Sequence, residues 1–217
     1  CANIFDGVGK ICSWGYVLTD DEFNIIEVED VVMNPETEFD WYLFSSKNSC
    51  QLAYSKDYFR SKPNFEYYYK RLKKLFTNGN CFVAGFAVGN DVGYVNSACE
   101  RYYKEFINYR AFDVALLCEK IFNSKKKLFE WAKFLNCDIT DLESHKSVDD
   151  AMTTMLVFKK ICEKENLFPE QIMKKYKEYF VSTEEIQNQA EERKYKNIKG
   201  YIYSMRPEQV LRLIENL

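Results

Sequence analysis

The sequence contains one histidine, His145, five residues ahead of Asp150 in the run His145-Lys146-Ser147-Val148-Asp149-Asp150-Ala151. Imidazole is the side chain whose ordinary pKa lets it exchange a proton near neutral pH. A carboxylate is a hard oxygen donor of the kind divalent cations take. At the start of a helix this spacing brings both groups to one end of the element, where they can face one cleft. The plainer reading is a capping or surface histidine followed by acids that favour a helix N-terminus. Asp149 adjoins Asp150, and neighbouring helical residues are turned about 100° from each other. Only one of the two can face a given cleft.

A second acid, Asp91, follows the continuously apolar run CFVAGFAV at 81–88 and the turn Gly89-Asn90. The carboxyl end of a central strand, where a helix begins, is where α/β folds place ligand groups. The plainer role for Asp91 is that of an N-cap. Two aspartates and one histidine, each at an element boundary, fit a divalent-metal site with an adjacent base.

The elements that must position these residues are legible in outline. Residues 11–18 (ICSWGYVL) and 23–33 (FNIIEVEDVVM) read as two strands joined at Asp20-Asp21 and stopped at Asn34-Pro35, an antiparallel hairpin. Pro63 opens a helix with Phe65, Tyr68, Tyr69, Leu72, Leu75 and Phe76 on one face. The run at 81–88 reads as a central strand covered on both faces. A helix from Asp91 carries Val95, Ala98, Cys99, Tyr102 and Phe106. Residues 109–113 form the next strand. Helices then run to the end, and in the one after His145 the apolar face is expected at Val148, Ala151, Met152, Met155, Leu156 and Cys162. Residues 36–62 are aromatic and irregular, with no clear element. This order describes an α/β architecture with a mixed sheet.

Composition sets the outer bounds. Of the 217 residues, 47% are hydrophobic and 17% aromatic, enough for a packed core. No apolar run reaches the ~18 residues of a membrane span, and no secretory leader is visible, so the expected location is cytoplasmic, without membrane attachment. No two of the eight cysteines lie within four residues of each other, which leaves no zinc-ligand pair and suggests reduced, buried thiols. The net charge of −3 argues against a long basic groove for nucleic acid, though not against an enzyme that grips a few terminal nucleotides.

The residues around these acids resemble the DEDDh (DnaQ-like) 3′–5′ exonuclease family, to which the proofreading subunit of bacterial DNA polymerase III belongs. His145 to Ala151 matches the family's third motif, and Phe86-Ala87-Val88-Gly89-Asn90-Asp91 its second, with Phe86-Ala87 in place of the usual His-Asn. Asp113-Val114-Ala115-Leu116, the helix with Leu128, Trp131 and Leu135, and Asn34-Pro35-Glu36 also match. Ile11-Cys12-Ser13-Trp14-Gly15 matches the family's second strand, so its first motif, Asp-x-Glu, is expected immediately upstream of Cys1. Asp6 falls in the loop after that motif. Cys1, Ala2 and Asn3 sit just behind it and are candidate substrate-binding residues.

The resemblance implies a ribonuclease H-like mixed sheet flanked by helices at 1–164, with the first strand missing, and a C-terminal helical extension at 165–217. It implies phosphodiester hydrolysis at the 3′ end of single-stranded DNA or RNA by two Mg²⁺ or Mn²⁺ ions. Asp91 and Asp150 are expected to supply metal ligands and His145 the general base. The family spacing selects Asp150, which leaves Asp149 expected as solvent-facing and dispensable. A DNA polymerase is a candidate partner. With half of the carboxylates upstream, the chain beginning at Cys1 is expected to be nearly inactive. Two rival readings stand beside this one. The first is a non-catalytic nucleic-acid-binding or polymerase-associated relic of the fold. The second is an amidohydrolase with Cys1 as N-terminal nucleophile.

Overall fold

The computed structural model describes residues 2–5, 8–45, 51–206 and 209. Its elements run β1 (Ala2–Phe5), β2 (Val8–Ile11), β3 (Ser13–Thr19), β4 (Ile25–Val32), α1 (Lys56–Arg60), α2 (Phe65–Phe76), β5 (Val83–Gly85), α3 (Gly89–Arg101), β6 (Arg110–Asp113), α4 (Val114–Phe122), α5 (Leu128–Phe134), α6 (Ser147–Glu165), α7 (Pro169–Lys175), β7 (Phe180–Ser182) and α8 (Thr183–Ser204).

The hairpin forms where the alternation places it. β3 and β4 pair antiparallel from Ser13↔Val32 to Thr19↔Ile25. Asp20 closes the connection, its Oδ1 accepting from the N–H groups of Glu22 and Asn24. Ser13 and Gly15 lie on one face of β3, and the N-terminus of α6 sits on them. A Cβ at Gly15 would stand 2.1 Å from the Val148 nitrogen, so only glycine permits this approach. The Ser13 and Ser147 hydroxyls meet at 2.5 Å. The segment carrying His145 and Asp150 is thereby seated on the hairpin.

The second sheet is mixed, with β5 parallel to β6 and β6 antiparallel to β7. Two expectations need correction here. The run at 81–88 yields only a three-residue strand, and it is not covered on both faces: Val83 and Gly85 are half-buried and Ala84 is exposed. β5 pairs with β6 alone. The rest of the run serves other purposes, with Phe82 in solvent, Phe86 half-buried against the core beneath α4, α5 and α6, and Val88 buried in the core of α2 and α3. Past residue 164, β7 adds a strand among the helices. β1 and β2, for which the sequence suggested no pairing, pair antiparallel from Ala2↔Ile11 to Phe5↔Val8.

The face of α6 also differs. Thr153, Thr154, Val157, Phe158, Ile161 and Cys162 are buried, whereas Val148, Ala151, Met152, Met155 and Leu156 are half-buried. Each threonine hydroxyl donates to the carbonyl four residues back, Thr153 to Asp149 at 2.7 Å and Thr154 to Asp150 at 2.8 Å. That bond removes the cost of burying the hydroxyl and leaves a β-branched apolar surface. Reading the threonines as polar rotated the predicted face.

One core joins α2, α3 and the base of the first hairpin through Phe65, Leu72, Val92, Val95, Val31 and Met33. Another lies beneath α4, α5 and α6, around Phe112, Leu117, Trp131, Val157 and Ile161. Phe39, Leu43, Leu52 and Phe59, the last on α1, close a third over Cys12; the sequence showed no clear element there. Six described cysteines are free thiols; burial pushes Cys12 and Cys99 up to about 11 and Cys118 and Cys162 up to about 12, which keeps them protonated and inert. Among the described residues, no helix is long and apolar enough to cross a membrane.

Candidate active site

Three aspartates from three element boundaries interact at one place. Asp91 lies in the first turn of α3, Asp113 caps α4, and Asp150 lies in the first turn of α6. Burial raises the Asp91 carboxyl above its ordinary value, and the charges of Asp150 and Asp113 raise it further. The residue as a whole is exposed at the surface. The half-buried Asp150 is raised chiefly by burial, opposed by the backbone N–H and the charge of His145.

His145 lies in the turn that enters α6, with φ 69°. A non-glycine residue in the left-handed region costs of order 1–3 kcal/mol, so its surroundings must hold it there. Asp150 Oδ1 accepts the His145 backbone N–H at 3.2 Å. Asp149 Oδ2 accepts the Glu143 N–H at 3.0 Å and the Lys146 ammonium at 3.3 Å. Asp149 is therefore not solvent-facing, as expected, but 7% exposed. It lies one turn before Thr153 on the buried line of α6: the turn of about 100° that separates it from Asp150 points into the protein, not out to solvent.

Asp113 is the other residue whose place in the site went unread; only its occurrence in a family-like segment was visible. Its Oδ1 accepts from Ala115 and Leu116 at 2.9 and 3.3 Å, a helix cap, and from Ala87 at 3.2 Å. Ala87 has φ 53°, in the turn between β5 and α3. Asp113 thus ties down the turn from which Asp91 projects. The signal available in the sequence was an Asp at a strand-to-helix junction.

Asp91 and Asp150 offer hard oxygen donors with unneutralised negative charge, a donor set that suits a divalent cation. Among the described residues, no three His, Cys, Asp or Glu side chains come together as a metal site. By donor chemistry alone, the Asp91 and Asp150 carboxylates fit a hard divalent cation. Cys1 and Asp6 lie outside the described residues. Ala2 and Asn3 are backbone-paired with Ile11 and Lys10, where β1 meets β2. Two surface hollows, one around Gly9, Ser97 and Arg101 and one around Asn34, Glu38 and Arg60, include none of Asp91, His145 or Asp150.

The class of protein follows from the fold and from the family model matched. The exonuclease family RNase_T matches residues 4–158. The chain belongs to this family of nucleases, hydrolases that are in general divalent-metal dependent. Two solved structures share its ribonuclease H-like α/β fold. One is a 3′-exonuclease, described in 3′-end-specific recognition of histone mRNA stem-loop, with a TM-score of 0.63 and 13% identity over 77% of this chain and 80% of that one. The other is a full-length 3′-exonuclease, with a TM-score of 0.63 and 12% identity over 76% and 79%. No curated protein matches the chain.

Proposed function

We propose that the chain is the catalytic domain of a metal-dependent 3′–5′ exonuclease of the DEDDh (DnaQ-like) type, removing nucleotides from the 3′ end of single-stranded DNA or RNA. The observation that carries this reading is the electrostatic coupling of Asp91 to Asp150, with His145 fixed beside Asp150 by its own N–H. Asp91 and Asp150 would hold Mg²⁺ or Mn²⁺, two ions in all, together with further carboxylates. When bound, such ions lower the pKa of water and neutralise charge on the phosphate. His145, as neutral imidazole, takes the proton of the attacking water. Asp150 orients it through the backbone, and Asp113 fixes the turn before Asp91. Phe86, in place of the family's histidine, presents an aromatic surface near the end of the substrate strand.

The test uses the natural full-length protein and 5′-labelled single-stranded DNA and RNA. Stepwise shortening with Mg²⁺ or Mn²⁺, none in EDTA, and loss of both metal-induced stabilisation and turnover in Asp150→Ala support the proposal. Unchanged turnover in Asp150→Ala, or digestion in EDTA, overturns it. Comparing the two substrates decides between DNA and RNA. The polymerase-associated relic differs in one readout: it binds the strand without shortening it.

A further inference from the structure

We infer that Asp149 is a positioning residue for His145, setting the imidazole's attitude by clamping both ends of the short segment that carries it. The inference rests on the reading of His145 as general base and deepens it.

The two contacts of Asp149 bracket the histidine. Its Oδ2 accepts the backbone N–H of Glu143, two residues before His145, and the ammonium of Lys146, one residue after it. Both bonds converge on one oxygen of a buried residue, 7% exposed. Lys146 is the N-cap residue of α6, yet its side chain caps nothing, so the helix entrance is organised by the acid at the third helical position reaching backwards. Asp149 is itself held. Thr153 Oγ1 bonds its carbonyl at 2.7 Å, and the helix rests on Gly15 and Ser13 of β3. The positive φ of His145 requires such restraint, because a residue in that region relaxes once its neighbours allow it. Asp150 restrains the His145 N–H with its side chain and the Lys146 carbonyl with its own N–H, at 2.9 Å, and Lys146 N–H reaches the Glu143 carbonyl at 3.4 Å; Asp149 adds the side-chain ties to the Glu143 N–H and the Lys146 ammonium. A base needs its proton acceptor within hydrogen-bond reach of the water, and a misplacement of about 1 Å costs on the order of 10²-fold.

The experiment is a double-mutant cycle in the natural full-length protein. Asp149→Ala should lower kcat roughly 10–100-fold, the usual worth of an outer partner of a catalytic group, with KM changed less than about threefold. Asp149→Asn, which keeps an acceptor for the Glu143 N–H, should recover much of the loss. In the His145→Ala background, Asp149→Ala should cost almost nothing further in kcat, because the group it positions is gone. A full additional loss there means that Asp149 acts only through folding and overturns the inference, as does an unchanged kcat in the single variant. Amide hydrogen exchange gives a readout independent of activity: protection at Glu143 should fall in Asp149→Ala while the α6 interior stays protected. If the parent protein shows no nuclease activity, the exonuclease reading fails. Unchanged protection at Glu143 then removes the clamp as well.

Discussion

Asp150 Oδ1 accepts the backbone N–H of His145 at 3.2 Å, so the carboxylate whose charge raises Asp91 also fixes the backbone of the histidine five residues earlier. One side chain thereby couples the two halves of the candidate chemistry. Substituting Asp150 should disturb both the charge at Asp91 and the attitude of His145, whereas substituting Asp91 should disturb the charge alone.

Removing the negative charge should stabilise the metal-free protein. Asp91 and Asp150 both have raised carboxyl pKa values in the fold, so the folded state disfavours their ionised forms. That penalty is present at neutral pH and disappears as the pH falls to where both states are protonated. Asp91→Asn should raise the metal-free Tm at pH 7, and the gain should shrink on acidification. Mn²⁺ should raise the Tm of the parent and do so less in the variant. Thermal unfolding in EDTA and in Mn²⁺ across pH checks all three.

His145→Ala should lower turnover by about 10²–10⁴-fold, the usual contribution of a general base. The metal-induced rise in Tm should remain, because a hard cation does not need the imidazole. Single-turnover kinetics beside thermal unfolding separate the two effects.

Gly15→Ala should destabilise the protein by about 1–3 kcal/mol, the cost of overpacking a close contact. The new methyl would meet the backbone of Ser147 and Val148. Since that backbone leads to Asp149 and Asp150, activity should fall by more than the loss of folded protein explains. Denaturant unfolding and turnover per folded molecule measure the two.

Asp113→Ala should cost about 0.5–2 kcal/mol from the lost helix cap, with some further loss from the freed Ala87 N–H. Asp113→Asn keeps an acceptor and should lose less. Urea denaturation of the pair ranks them.

Much of the frame was legible because it rests on local patterns. The β3–β4 hairpin, α2 and the strand at Arg110–Asp113 follow from alternation, helical periodicity and turn residues. The sequence also marked His145, Asp91 and Asp150 by residue type and by placement at element ends. What escaped depended on tertiary context. Threonines that bond back to their own helix do not look apolar, so the buried line through Thr153, Val157 and Ile161 was misread. The apolar run at 81–88 gave no sign that a turn would consume its second half. The bond from the Ala87 N–H to Asp113 joins segments 26 residues apart, a separation no local pattern spans. β1 and β2 lack strong strand alternation.

On the proposed reading, Asp91 and Asp150 bind one divalent centre beside His145. The most direct measurement is a crystal structure of the natural full-length protein soaked in Mn²⁺, with the ion located by anomalous scattering. The account predicts a manganese peak about 2 Å from a carboxylate oxygen of Asp91 and of Asp150, with the His145 ring near it but not ligated. A strong peak elsewhere, or none at these two aspartates under saturating Mn²⁺, would contradict it.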